Sequence, residues 1–139
     1  MTFDLPWPPS TNHLYRHTRN GAQLTDECLR FRGLVLAAVQ GGRQRTLTGR
    51  LKLTVWCFAP DFRRRDISNA VKATEDALQA AHVFRDDSQI DEEHLYRRAP
   101  EPPHGRLLVE VEETAPATAA EEKALKRKAA PSVRYPVRA

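Results

Sequence analysis

The chain has 139 residues, 40% hydrophobic and 29% charged, with a formal net charge of +4; this fits one globular domain with its own core. It has no run of eighteen apolar residues, so no membrane-crossing helix is expected, and Met1–Pro6 lacks the basic and apolar regions of a signal peptide. Two cysteines, Cys28 and Cys57, make no disulfide framework, so free thiols in a reducing cytoplasm are expected.

Thr2–Leu5 reads as a first strand. Pro6-Trp7-Pro8-Pro9-Ser10 ends it, because proline cannot donate to a ladder. Asn20-Gly21 is a hairpin signal, which predicts paired strands near Leu14–His17 and Ala22–Leu24. Thr25 reads as an N-cap, followed by Asp26 and Glu27 where acidic groups suit the helix dipole. Cys28, Phe31, Leu34/Val35 and Ala38/Val39 recur at helical spacing, and Gly41-Gly42 stops the helix. Leu51, Leu53, Val55 and Cys57 alternate with Lys52, Thr54 and Trp56, a strand pattern. A helix is predicted from about Ser68 to Ala81, with Ala70, Val71, Thr74, Ala77, Leu78 and Ala81 on its less polar face. Gln89–Arg97 and Arg106–Val111 read as two more strands.

The fold class expected is therefore α+β, a mixed β-sheet packed with two main helices in a single compact domain. The charge divides the chain. Residues 114–139 hold six basic and two acidic side chains, and residues 1–113 hold sixteen of each. We expect a neutral folded domain over 1–113. A basic tail over 114–139 is expected to be disordered or a marginal helix around Ala119–Lys128. Any affinity of the body for nucleic acid must come from local patches.

One such patch is evident. Arg63-Arg64-Arg65 runs into Asp66, with Asn69, Lys72 and Asp76 following and Asp86-Asp87 about twenty residues on. Arginines attract a phosphate backbone. Carboxylates hold Mg²⁺, which keeps several waters and takes one or two protein carboxylates plus phosphate oxygens. Asn69, Lys72 and Asp76 lie three and four apart and share a helix face. With Asp86-Asp87 folded back beside that face, Mg²⁺ would polarise a phosphodiester and activate a water. Lys72 would neutralise developing charge. Singly, each feature has an ordinary explanation: a surface ion pair, an N-cap at Asp66 or Ser68, a polar turn at Asp86-Asp87, a solvated arginine loop. Their co-occurrence points to metal-assisted cutting of nucleic acid.

In order and spacing these residues resemble the RusA family of Holliday junction resolvases, common in prophages. Leu5-Pro6-Trp7-Pro8-Pro9-Ser10-Thr11-Asn12 with Tyr15-Arg16-His17 is similar to that family's opening motif. Arg63-Arg64-Arg65-Asp66-x-x-Asn69-x-x-Lys72, Asp76-Ala77-Leu78 and Asp86-Asp87-Ser88-Gln89-Ile90 form the more specific block. The resemblance covers most of residues 3–112. It implies a homodimer dependent on Mg²⁺, with Mn²⁺ as a substitute, that binds a four-way DNA junction and nicks two opposed strands in recombination or repair. Paired nicks need two sites related by a two-fold axis. The resemblance also implies that Asp66 and Asp87 are catalytic, metal-binding carboxylates and Lys72 a catalytic lysine. Asp86 is an adjacent carboxylate, and Arg63, Arg64, Arg65 and Lys72 contact DNA.

One position departs from the family pattern. A second aspartate is expected two residues after the first, and Ser68 stands there, a neutral and weaker ligand. Asp76 or Glu75 supplies the missing charge, or a water replaces it, or the protein binds junctions without cutting well. Asp76 is favoured, because it projects on the Asn69–Lys72 face. The alternative function is a non-catalytic junction- or nucleic-acid-binding protein; a protein-interaction module using the charged tail is a third.

Overall fold

The computed structural model describes residues 1–42 and 45–128. Part of the tail, 129–139, lies outside the described residues. In chain order the elements are β1 (Thr2–Pro6), β2 (Tyr15–Thr18), β3 (Gly21–Leu24), α1 (Asp26–Gly41), β4 (Arg50–Phe58), α2 (Ile67–Ala80), β5 (Ile90–Arg97), β6 (Arg106–Ala115) and α3 (Ala119–Lys128). Short 3₁₀ turns lie at Thr11–His13 and Asp87–Gln89.

The main sheet has the order β1-β6-β4-β5. β6 is antiparallel to both β1 and β4, whereas β4 and β5 are parallel. Parallel neighbours need a crossover, and α2 supplies it. The expected mixed sheet with two main helices is what the chain forms. β6 runs further than the strand expected at Arg106–Val111, because residues as far as Ala115 still pair with β4.

Alternate strand residues face one side: Leu51, Leu53, Val55 and Cys57 of β4, and Leu107, Val109 and Val111 of β6. Phe31, Val35 and Val39 of α1 and Val71, Ala77 and Leu78 of α2 close over them. Each fully buried aliphatic or aromatic side chain here contributes about 1.5–3 kcal/mol relative to exposure. On the other face Trp56 and Tyr96, paired across β4 and β5, stack with ring centroids 6.0 Å apart.

Local signals explain the boundaries. The Thr25 side chain accepts from the Cys28 N–H, capping α1. The β2–β3 hairpin turns at Gly21, whose φ of 101° lies where glycine is at ease. Leu14, Cys28 and Ala73 form a small second cluster that seats this hairpin against both helices. Asp66 caps α2 by accepting from the Ser68 N–H. The helix α3 is capped reciprocally: the Glu121 N–H donates to Thr118 Oγ1 at 3.2 Å and the Thr118 N–H to Glu121 Oε2 at 2.8 Å. Leu125 on α3 is buried.

Candidate active site

Two loops and one helix carry the sequence-predicted site residues. The first loop leaves the C-terminal end of β4 and enters α2 at Asp66. A crevice outside the carboxyl end of a parallel strand is where open α/β sheets commonly bind ligands. The second is the turn between α2 and β5, which carries Asp86 and Asp87.

At the first loop, Asp61 is the organiser. Its carboxylate accepts from the Arg63 backbone N–H at 2.9 Å, from the Arg63 guanidinium at 3.1 and 3.2 Å, and from Arg65 Nη1 and Nη2 at 2.6 and 2.8 Å. The Arg65 and Arg63 guanidinium groups hold the Asp61 carboxyl far below the usual range. Arg65 also lies over the Trp7 ring, 5.8 Å from its centroid, a cation–π contact. Arg97, at the end of β5, donates from Nη2 to the Arg65 carbonyl at 2.8 Å. Arg64, Arg65 and Arg97 thus surround Asp66 in an open hollow of about 390 Å³. A neighbouring groove of about 510 Å³ runs from Trp7, Pro8 and Pro9 past the three arginines to Asn69.

Asp66 itself accepts from the Ser68 N–H at 3.0 Å and from Ser68 Oγ at 2.6 Å. Those Ser68 hydrogen bonds, with Arg97 nearby, keep its pKa below the ordinary aspartate value. It is ionised at neutral pH, an oxygen donor beside a cationic hollow.

The carboxylates gather further along α2. Lys72 Nζ lies 3.3 Å from Asp76 Oδ1 and 3.4 Å from Asp87 Oδ2. The α2–β5 turn does fold back onto this helix face, so Asp87 meets Lys72. Burial opposes the Lys72 charge, but Asp76 and Asp87 outweigh it and hold its pKa above the ordinary lysine value. Asp86 serves the turn, with its side chain accepting from the Ser88 N–H at 3.2 Å and from the Ser88 hydroxyl. Asn69 lines the Trp7 groove.

Buried Gln89 pins the turn. Its amide donates to the Leu47 and Gly49 carbonyls at 3.0 Å each, and its oxygen accepts from the Arg85 and Asp86 N–H groups at 2.9 and 3.0 Å. Next to this turn Glu75 is only 6% exposed. Burial, a hydrogen bond with Glu93 and the charge of Asp87 push its pKa to about 8, and Lys72 only partly offsets them.

Glu93, Arg97 and Asp61 were not singled out from sequence. Asp61 had a readable signal, since Asp-x-Arg-x-Arg places two guanidiniums two and four residues from one carboxylate. Glu93 and Arg97 depend on the parallel β4–β5 register, which no local pattern gives.

Asp76 and Ser68 both lie on α2. Eight residues of helix separate them, about 12 Å at 1.5 Å per residue. Asp76 adds charge beside Asp87 and Lys72, while Ser68 stays bound to Asp66. Among the described residues no three His, Cys, Asp or Glu side chains form a ready metal cage. Mg²⁺ needs only one or two carboxylates, the rest being water and phosphate oxygen. The donor chemistry fits: Asp76 and Asp87 lie on either side of Lys72, and Glu75, raised by burial and by Glu93, stands close by.

The profile of the family described as Endodeoxyribonuclease RusA matches residues 6–112, which take in both loops and α2. The chain belongs to the RusA family. The crossover junction endodeoxyribonuclease RusA of Enterobacteria phage 82 is 39% identical over 87 residues, 62% of this chain and 72% of that protein. The RusA proteins of Shigella sonnei strain Ss046 and Escherichia coli strain K12, named for the same activity, are each 38% identical over 87 residues, with the same shares of each chain. The family resemblance drawn from the two motif blocks is thereby borne out. Among the described residues no helix is long and apolar enough to cross a membrane.

Proposed function

We propose that this RusA-family chain is a Mg²⁺-dependent endodeoxyribonuclease that resolves four-way DNA junctions by paired nicks, acting as a homodimer in the cytoplasm. The observation that carries the reading is the Lys72 ammonium held between Asp76 and Asp87, on the helix whose N-terminus opens into the Arg64–Arg65–Arg97 hollow. One stretch of surface thus offers both phosphate binding and metal binding.

The arginines would seat the phosphodiester, because guanidiniums match phosphate oxygens in a planar fork. Arg63, Arg64 and Arg65 hold the strand, and Lys72 neutralises charge building on the phosphoryl and leaving oxygens. Asp87 and Asp66 are the metal-binding carboxylates, with Asp76 adding charge beside Asp87 and Asp86 shaping the turn. When bound, Mg²⁺ (or Mn²⁺ in its place) supplies an activated water and a polarised phosphate. Residues 1–113 form the nuclease domain. The basic segment 114–139 adds salt-sensitive, sequence-independent affinity.

A second reading has its own support. The Ser68 N–H and Oγ both donate to Asp66 Oδ1, at 3.0 and 2.6 Å, which reduces the carboxylate's capacity for a metal to its other oxygen. On that reading the chain binds junctions without cutting them. Incubating a labelled four-way junction and a matched duplex with wild type, Asp87→Asn and Asp76→Asn in Mg²⁺ decides between the two. Paired nicks by wild type, lost in Asp87→Asn while junction binding survives, support the nuclease. Tight binding with no nicks in Mg²⁺ or Mn²⁺ supports the binding protein. Unchanged cleavage by Asp76→Asn removes Asp76 from the metal set.

A further inference from the structure

Phe62 lies in the arginine loop with 82% of its surface exposed, the most of any large hydrophobic side chain among the described residues. A single exposed apolar side chain is ordinary on a protein surface. Its mounting and its neighbours set this one apart. Asp61 before it is locked to Arg63 and Arg65 after it, so the loop is cross-braced on both sides of the ring. Arg97 ties the exit of the loop through the Arg65 carbonyl. The entry is tied as well: the Glu101 N–H donates to the Ala59 carbonyl at 2.8 Å. Gly105 approaches so closely that a Cβ there would stand 2.6 Å from Pro60 N. The aromatic ring is therefore held out into solvent by a braced loop, beside Arg63 and Arg64 and four residues before Asp66.

A polyanion with accessible base faces suits that arrangement. Arg63 and Arg64 would take phosphates, and the ring would take a π face. Intact duplex hides the faces of its bases inside the stack. At a branch point the base pairs have lost a stacked neighbour, so an aromatic wedge enters at least cost. We propose that Phe62 is a branch-point wedge, stacking on a base at the centre of a DNA junction and so separating junction from duplex. This rests on the junction-binding reading above and deepens it by naming the residue that reads structure rather than charge. A preorganised ring gives up little conformational freedom on binding.

The test uses the full chain with a chelator present, so that nothing is cut, and a four-way junction carrying 2-aminopurine beside the crossover. Wild type is expected to raise the 2-aminopurine fluorescence and to prefer junction over matched duplex. Phe62→Ala should lose the fluorescence change and about tenfold of the preference, equivalent to about 1.4 kcal/mol, whereas Phe62→Trp should keep both. The side chain is exposed, so neither variant threatens the core. If wild type shows no junction preference, the junction reading fails and the wedge with it. If wild type prefers the junction and Phe62→Ala behaves identically, the wedge alone is overturned. A change of oligomeric state in Phe62→Ala with the fluorescence change intact also overturns it, by assigning the ring to a protein contact.

Discussion

Asp61 and Glu75 are both carboxylates beside the candidate site, and they are held in opposite states. Asp61 meets two guanidiniums and a backbone N–H, and its proton affinity falls far below the usual range. Glu75 is buried against another carboxylate, Glu93, and its pKa rises to about 8. Asp61 is thus matched by its own loop's arginines before any ligand arrives, with Arg64 and Arg97 adding net positive charge beside Asp66. The stretch of α2 around Lys72 carries more negative charge than its one lysine can balance. A matched region can stay rigid and await an anion, while an unmatched one has an unmet demand for a cation. Metal and phosphate together would answer both ends.

Removing the Lys72 ammonium from the unmatched region should have the largest effect. Lys72→Met takes away the ammonium that faces Asp76 and Asp87. Nicking of a four-way junction should fall about 10²–10³-fold, the scale for losing one preorganised charge stabiliser. Junction affinity should change much less, since the arginines remain. Equal losses in affinity and rate would place Lys72 with the phosphate-binding groups and blur the distinction between the two regions.

A neutral group holds the turn against this charge. Gln89 is 2% exposed and makes hydrogen bonds to four backbone groups. Gln89→Leu should cost about 3 kcal/mol, because an apolar side chain leaves buried donors and acceptors unpaired. Thermal unfolding would show it as a fall of about 10 °C in Tm. If stability held, Asp86 and Asp87 would owe their position to charge alone.

Most of this architecture was legible in the sequence, for identifiable reasons. Thr25, Asp66, Gly41 and the Asn20-Gly21 turn are local chemical signals, and the elements begin and end on them. Alternation in β4 and the apolar stripes of α1 and α2 marked the core-facing residues. Long-range register was not legible. The meeting of Glu75 with Glu93, and of Arg97 with the arginine loop, requires β5 to lie parallel beside β4. No residue in β5 announces that neighbour, so Glu93 and Arg97 read as ordinary surface charges. The double role of Ser68 was hidden similarly. Its absent carboxylate was visible from the family pattern, whereas its hydrogen bond to Asp66 needed the geometry of the cap.

Glu75 gives a pH test of the unmatched region. Its pKa in the fold lies above that of an unfolded glutamate, so the folded state binds the proton more tightly. Stability from this group is present below the ordinary glutamate range and declines as pH rises toward about 8. The slope is at most about 1.4 kcal/mol per pH unit for one proton. Denaturant unfolding of wild type should therefore weaken from pH 5 to pH 8, and Glu75→Gln should flatten the trend. A flat wild-type profile would mean that Glu75 is already ionised and paired.

The smallest effect should come from the matched region. Asp61→Asn removes one negative charge and loosens Arg63 and Arg65, so two changes oppose each other. The guanidiniums then meet phosphate without a competing carboxylate, which favours binding and releases more counterions. The loop loses its brace, which costs conformational freedom when DNA orders it. Net junction affinity near physiological salt should move by less than about threefold. The salt dependence should not cancel, since counterion release counts only phosphate contacts. A plot of log affinity against log salt should steepen by up to about two units, about 0.9 for each guanidinium. An unchanged slope with weakened binding would mean that Asp61 already delivers both arginines to phosphate, and that its carboxylate is part of the DNA-binding surface instead of a placeholder for it.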